Sequence, residues 1–410
     1  MLKSLNTQIF FGAVLGVALG LFFAELGPES YPGKQGIYVC GLVGNLFIDM
    51  LKMVLAPLVF TTITVGVANL RLHSQMHNVW KTTLGFFALS MALAVALGLG
   101  AANWFEPGKG LSLDLFQNAR QGFAAKQMTF AEFIAEFLHG LFLNPFAALV
   151  QGNVLAIVVF ALLLGIALVI GGERYRNILL LMQEGLEIML RMVGWIMHLA
   201  PYGIMALLAK LLATQNLSVL ASLGQFIAVV LGTTLFHGFV VLPLLLFIFA
   251  RVSPLRFFRG AREALVTAFA TSSSSATLPV TLRCAEQHLH VNPGIAGFVV
   301  PLGATVNMDG TALYEASAAL FVANLAGIEL DLGQQLIVFF TTMVAAIGAP
   351  GIPSAGMVTM VMVLQSVGLP TEAIAILLPI DRLLDTVRTM VNVEGDMVGS
   401  LVVQRLVGEK

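Results

Sequence analysis

The sequence predicts an all-α membrane protein with six apolar spans, then two re-entrant helical hairpins, each followed by an interrupted or charged span. Three observations predict it. Of 410 residues, 58% are hydrophobic and only 10% are charged, with a mean hydropathy of +0.92. A soluble domain carries about 25% charged residues, so this chain lacks the polar surface for a water-facing exterior. Apolar runs at Ile9–Phe23, Phe86–Ala102, Val154–Ile170 and Phe226–Ala250 approach or exceed the roughly 20 residues a helix needs to cross hydrocarbon. After residue 250 the apolar stretches shorten, and Ser, Gly, Pro and acidic residues interrupt them. A large soluble α protein would need polar outer faces that these runs lack. The net charge of −1 gives no nucleic-acid footprint, and Cys40 and Cys284 have no metal-ligand spacing.

The first run follows Lys3 as a signal segment would, but no small-residue cleavage site stands out after it. It reads as a retained span. The expected spans are 8–26, 38–70, 80–105, 130–171 (broken at Asn144-Pro145), 178–212 and 218–250. Lys and Arg set the orientation. An inside N-terminus puts Lys3, Arg71, Lys81, Arg174, Arg176, Arg251, Arg256, Arg259, Arg262, Arg405 and Lys410 on the cytoplasmic side. Lys34, Lys109, Arg120, Lys126 and Lys210 fall outside. This predicts six crossings before residue 251 and both termini cytoplasmic, in a multi-pass protein of a bacterial inner membrane.

Hairpin 1, about 254–287, has Thr271-Ser-Ser-Ser-Ser-Ala-Thr-Leu-Pro279 at its middle. Hairpin 2, about 332–366, has Gly348-Ala-Pro-Gly-Ile-Pro-Ser-Ala-Gly356. Such tips free backbone groups from helical bonding, which a bilayer tolerates only where protein or a wet cavity satisfies them. Each hairpin precedes a span, 292–327 and 370–405. The unit is used twice with opposite topology, and paired broken segments point to a transporter's substrate site.

The last span reads Asp381-Arg-Leu-Leu-Asp385-Thr-Val-Arg388-Thr389-Met-Val-Asn392-Val-Glu-Gly-Asp396. At about 100° per residue, Asp381, Asp385, Arg388, Thr389, Asn392 and Asp396 share an arc of about 100°. Each charge at the bilayer centre costs about 2.5–3.5 kcal/mol, so this stripe must face an interior or a wet site. An internal Asp385–Arg388 pair would leave Asp381 to Arg382 and Asp396 without a partner. The preceding span adds Asn307-Met-Asp309-Gly-Thr311 and Glu315. The acids outnumber Arg382 and Arg388, and buried charges need partners or a change of protonation. Bound cations, a substrate ammonium or a proton on Glu315 would supply the missing positive charge. One arginine among carboxylates suits a substrate carboxylate. Together these features imply a cation-coupled carrier.

Ser272-Ser-Ser-Ser-Ala-Thr-Leu-Pro279, Asn307-Met-Asp-Gly-Thr311, Gly351-Ile-Pro353 and Asp385-x-x-Arg-Thr-x-x-Asn392-x-x-x-Asp396, with Ala56-Pro-Leu-Val-Phe60 upstream, resemble the glutamate transporter family of dicarboxylate/amino acid:cation symporters. The resemblance covers nearly the whole chain. It implies eight crossings plus the two hairpins with inverted repeats, in a homotrimer whose transport domain slides as an elevator. Implied domains are scaffold 1–79 and 129–215, and transport 80–128 and 216–410.

The resemblance also implies site roles. Arg388 would hold the substrate's side-chain carboxylate, with Thr311 and the backbone near Gly356. Asp385 would take the ammonium, with Thr389 nearby. Asn392, Ser273 and Ser274 would hold the α-carboxylate, and Ile352 would line the gating tip. One sodium would use Asp396 and the carbonyls of Gly303, Asn307 and Asn392. A second would use carbonyls around Thr305, Ala346, Ile347 and Ala349, and a third Asp309 with the Asn307 side chain. Glu315 would carry a coupling proton, as in animal members.

Some positions depart from the family pattern. Phe87, Ser90 and Met91 stand where sodium-coupled members show Tyr, Thr and Ser or Thr, which puts the third cation in question. The family's arginine at Ser272 (archaeal) or Thr386 (animal) is missing. The expected activity is uptake of glutamate or aspartate with Na+, H+ or both, and no organic cofactor. Rival readings are a C4-dicarboxylate symporter, which Asp385 disfavours, a neutral amino acid carrier, which would leave Arg388 without a partner, and an anion channel. A serine hydrolase at Ser272–Ser275 would need a base within hydrogen-bond reach, and the seven histidines form no motif with it.

Overall fold

The computed structural model describes residues 5–28, 30–68, 77–110, 139, 142–151, 154–214, 218–349, 351 and 353–408. Every regular element among them is helical. The first group comprises α1 (Leu5–Leu26), α2 (Tyr31–Ala68), α4 (Pro145–Gln151), α5 (Val154–Gly171), α6 (Arg176–His198) and α7 (Ala200–Thr214). Helix α3 (His77–Phe105) lies between α2 and α4 in sequence. The sixth apolar run starts as α8 (Ser218–Phe236), continues through a π-helical turn at His237–Val241 and α9 (Leu242–Leu245), and ends in a second π turn at Leu246–Ala250.

Both hairpins form. The first is α10 (Pro254–Thr271) and α11 (Ser274–Arg283), followed by a π turn at Cys284–His288. The second is α14 (Leu332–Gly348) and α15 (Ala355–Ser366). Between them, α12 (Pro293–Val306) and α13 (Asp309–Ala326) are one span broken at Asn307-Met308. Helix α16 (Ile374–Gly408) closes the chain.

The breaks have local causes. Ser272 leaves α10 in the left-handed conformation (φ 50), and Ser273 then caps α11 by accepting from Ala276 N at 3.1 Å. In hairpin 2 the backbone turns at Ser354 (φ 60) with no side-chain cap.

Two expectations change. The 178–212 span bends by 52° between α6 and α7, because Pro201 at the start of α7 brings no N–H. The loop expected before residue 178 is a short 3₁₀ turn, Gly172–Tyr175, with Gly172 at φ 62. Helix α4 begins at the predicted Asn144-Pro145 break, with Asn144 Oδ1 accepting from Phe146 N at 2.9 Å.

Helices α1, α2, α5, α6 and α7 pack on one another, and α3, α8 and α10–α15 gather around α16 and α13. Among the described residues, Asn78–Phe105 and Ala221–Ala250 are each long and apolar enough to cross a membrane, and the bent run Val159–Thr214 adds a third if taken as one span. Helix α13 is buried along nearly its whole length, as is α16 from Val391 to Val403.

Candidate substrate and cation site

The site is built where the two hairpin tips and the break between α12 and α13 meet the polar stripe of α16. The tips touch directly. Ser273 Oγ donates to Gly351 O at 2.7 Å, and Ser275 N donates to the same carbonyl at 3.0 Å. Only glycine fits there, since a Cβ on Gly351 would lie 2.6 Å from Ser275 Oγ and 2.8 Å from Ala304 O.

On α16, Asp381, Asp385, Arg388, Thr389, Asn392 and Asp396 are all buried. The predicted stripe therefore faces protein. Arg388 is fully buried, and its Nη2 donates to Asp381 Oδ1 at 2.6 Å and Asp385 Oδ1 at 2.9 Å. The partner foreseen for Asp381 was Arg382. Instead Arg388 reaches back two turns to Asp381, and Arg382 lies 3.5 Å from Asp385 Oδ2. The guanidinium also stacks over the Tyr314 ring at 4.1 Å, a desolvated cation–π contact. Asp385 Oδ2 accepts from Ser354 N at 2.8 Å, tying the second tip to the stripe.

Arg388 has donors left over. Among the described residues, its Nε and Nη1 are buried without a hydrogen-bond partner. A buried donor left unmade costs about 1–3 kcal/mol, more when charged. Gly356 flanks Nη1: a Cβ there would lie 3.0 Å from Thr311 Cγ2 and 3.4 Å from Arg388 Nη1. Asn392 joins the helices: its Oδ1 accepts from Gly310 N at 2.8 Å and its Nδ2 donates to Thr311 Oγ1 at 3.3 Å. Gly310 permits the approach, since a Cβ there would lie 2.6 Å from Arg388 O. Ser274 is buried at the first tip, and Ile352 lies outside the described residues.

One to two turns further along α16 lies an acidic cluster. Asn307 Nδ2 donates to Asp396 Oδ1 at 3.2 Å. A Cβ on Gly303 would fall 2.2 Å from that same oxygen, so the glycine lets the carboxylate reach the α12 backbone. Asp309 opens α13 and meets His237 and Ser90. Phe87 packs against Gly303 and Gly399. Ala346 and Ala349 are buried at the end of α14, with Ile347 half-buried beside them, and Thr305 Oγ1 donates to Leu302 O at 2.9 Å. Glu315 is fully buried, bonded by the Thr359 hydroxyl through Oε1 while Oε2 has no partner among the described residues.

The sequence reading missed two site residues. Glu394 is buried with Oε1 unpartnered among the described residues. It projects opposite Asp385 on the helical wheel, so the stripe excluded it. His237 is fully buried against Asp309. Its signal was an ionisable side chain inside the apolar run 226–250.

Ionisable groups buried between apolar helices mark a path for polar solutes through a bilayer, and the class so defined is an integral membrane transporter. Comparison supplies the family. The chain belongs to the sodium:dicarboxylate symporter family, whose model matches residues 5–406. It is 34% identical over 441 residues to excitatory amino acid transporter 3 of Homo sapiens, covering 96% of this chain and 83% of that protein. The match to neutral amino acid transporter B(0) of Bos taurus is 35% over 420 residues, covering 95% and 78%. Excitatory amino acid transporter 3 of Mus musculus reaches 45% over 255 residues, covering 62% of this chain and 49% of its own length.

Proposed function

We propose that this chain is a secondary active symporter that takes up glutamate or aspartate with sodium ions, with a proton on Glu315 as a further coupling ion. The observation that carries the reading is the buried Arg388 fork, whose Nε and Nη1 are unpartnered beside Gly356 and Thr311. A substrate side-chain carboxylate would accept from Nη1, the donor beside Gly356. Asp385 would exchange its contact with Arg388 for the substrate ammonium, with Thr389 adjacent. Asn392 and the first tip at Ser273 and Ser274 would hold the α-carboxylate. Ile352 and its tip would act as the gate, since Ser354 N binds Asp385. A C4-dicarboxylate has no ammonium for Asp385, and a neutral amino acid leaves the Arg388 fork unmatched.

Two sodium sites accompany this pocket in the proposal. One uses Asp396 with carbonyls of Gly303, Asn307 and Asn392. The other uses carbonyls around Thr305, Ala346, Ile347 and Ala349. Oxygen donors of this kind suit a hard cation.

The proposed architecture is eight crossings with re-entrant hairpins, both termini cytoplasmic, assembled as a homotrimer. For the described residues, scaffold 1–79 and 129–215 and transport 80–128 and 216–410 have support in the two packing groups, while residues 111–138, with the 128/129 boundary, lie outside the described residues. The transport part would slide as an elevator. A bacterial inner membrane has no support from these animal relatives.

Counterflow in liposomes with aspartate, glutamate, succinate and alanine under imposed sodium or proton gradients tests the proposal. Exchange of both acidic amino acids, dependent on sodium and enhanced by inward protons, is expected. Exchange confined to succinate or alanine would refute it.

A further inference from the structure

The base of hairpin 1 carries a side-chain cluster that the substrate reading does not use. Glu263 lies on α10, while Cys284 and His288 lie on the π turn that follows α11. One ligand atom from each of the three lies within 4.8 Å of the others. The two cysteines have no ligand spacing along the chain, so only the packing of α10 on the π turn brings this trio together. Cys284 and His288 stand four residues apart and project from one face. The wider turn that carries them is closed by Leu289 N, which donates to Cys284 O at 2.9 Å.

The surroundings suit a bound ion. Cys284 is fully buried, whereas Glu263 and His288 are exposed. His288 Nδ1 lies 3.3 Å from Gly260 O. A carbonyl only accepts, so Nδ1 carries the hydrogen and the neutral ring keeps its lone pair on Nε2. Backbone carbonyls orient metal-ligating histidines in this way. Gly260, Glu263 and His288 also line a cleft of about 690 Å³, which gives an ion and its waters a route in.

The nearby charges decide which ion. Arg256, Arg259 and Arg262 line the same cleft, and Arg283 pairs with Glu263. They repel a cation held by charge alone, such as Ca2+ or Mg2+, which also take oxygen ligands. A thiolate and an imidazole instead select Zn2+ and similar borderline-soft ions. The Glu263–Arg283 pair is about half exposed. Such a pair contributes little, so the carboxylate can change partner.

We propose that Glu263, Cys284 and His288 form a binding site for a Zn2+-class divalent cation, which ties α10 to the turn ending the second arm of hairpin 1. Three protein ligands of these kinds plus a water make a tetrahedral zinc site. Binding forms a metal–sulfur bond, and the thiol proton leaves to solvent. In the orientation proposed above, this end of the hairpin faces the cytoplasm, where thiols stay reduced. The site lies at the opposite end of the hairpin from the Ser273 tip and does not rest on the substrate assignment.

Chelator-treated full-length protein in nanodiscs, titrated with Co2+ and then Zn2+, tests this. One Co2+ should bind per chain, with a near-ultraviolet thiolate-to-cobalt charge-transfer band that Zn2+ abolishes. Cys284→Ser should remove the band, and Cys40→Ser should leave it unchanged. A residue that only orients a ligand is worth about 10–100-fold in affinity, so losing a ligand should cost at least about 100-fold. His288→Ala and Glu263→Gln, both at exposed positions, should each weaken Zn2+ binding by that factor, with the band recovered at high Co2+. A wild type without the band, a band lost in Cys40→Ser, or Zn2+ affinity unchanged in His288→Ala overturns the proposal. If Cys284→Ser does not fold, the affinity of His288→Ala decides alone.

Discussion

The two halves of α16 bury their charges in different ways. From Asp381 to Arg388, acids and a base are already matched: Arg388 binds Asp381 and Asp385, and Asp385 also binds the second hairpin tip. From Asn392 to Asp396 no base faces the acids: Asp396 meets the Asn307 amide, and Asp309, facing this half from α13, meets the His237 imidazole and the Ser90 hydroxyl. The first half can exchange internal partners for a zwitterion at little net cost, because each new ion pair replaces an old one. The second half holds a surplus of acid, so it must recruit positive charge. Substrate recognition and ion coupling thus follow from one helix whose charge balance changes along its length.

Breaking the matched half should have the largest effect. Arg388→Cys removes the buried guanidinium, takes the cation from Asp381 and leaves Asp385 with Arg382 and the Ser354 N–H, a loss of about 2–5 kcal/mol for a desolvated pair. Acidic substrate uptake should fall at least about 100-fold, with neutral amino acid uptake retained or gained in the same radiotracer assay. Gly356→Ala narrows the space between Thr311 and Arg388. Its KM for glutamate should rise about tenfold, as expected for about 1.4 kcal/mol of lost complementarity, with sodium affinity unchanged. Asp396→Ala acts on the unmatched half. The sodium concentration for half-maximal uptake should rise several-fold, while substrate affinity at saturating sodium holds.

Smaller effects sharpen the contrast. Glu315 lies on α13, bonded by the Thr359 hydroxyl. If its carboxyl carries a proton with the substrate, uptake falls as pH rises, and Glu315→Gln flattens the profile by supplying a neutral amide at every pH. A pH profile identical to wild type removes Glu315 from coupling. Ser273→Ala deletes the cap of α11, worth about 0.5–2 kcal/mol, and one of the two bonds between the tips. It should raise the KM for glutamate no more than a few-fold, with sodium dependence intact.

Much of this was legible because membrane spans obey simple rules. The hairpin limits, an interruption somewhere in 292–327 and the burial of the stripe follow from apolar length, proline and glycine positions, and 3.6-residue periodicity; that the interruption falls at Asn307-Met308 came from the structure. Periodicity failed at Glu394. It assumes a helix with one protected face, and α16 is enclosed on all sides near its end. It also misassigned the partner of Asp381, since an arginine's reach along a helix exceeds its nearest i,i+3 neighbour.

The order of spans, the two broken units, and the surplus of buried acid are properties of the chain alone. They depend on local backbone chemistry and on the cost of charge in hydrocarbon, which neighbours do not alter. Which acid meets which donor was decided only by packing. The contact of His237 with Asp309 joins residues 72 apart in sequence, and it exists because a π turn and glycine contacts fix how α8, α13 and α16 approach. No rule acting along the chain encodes that approach.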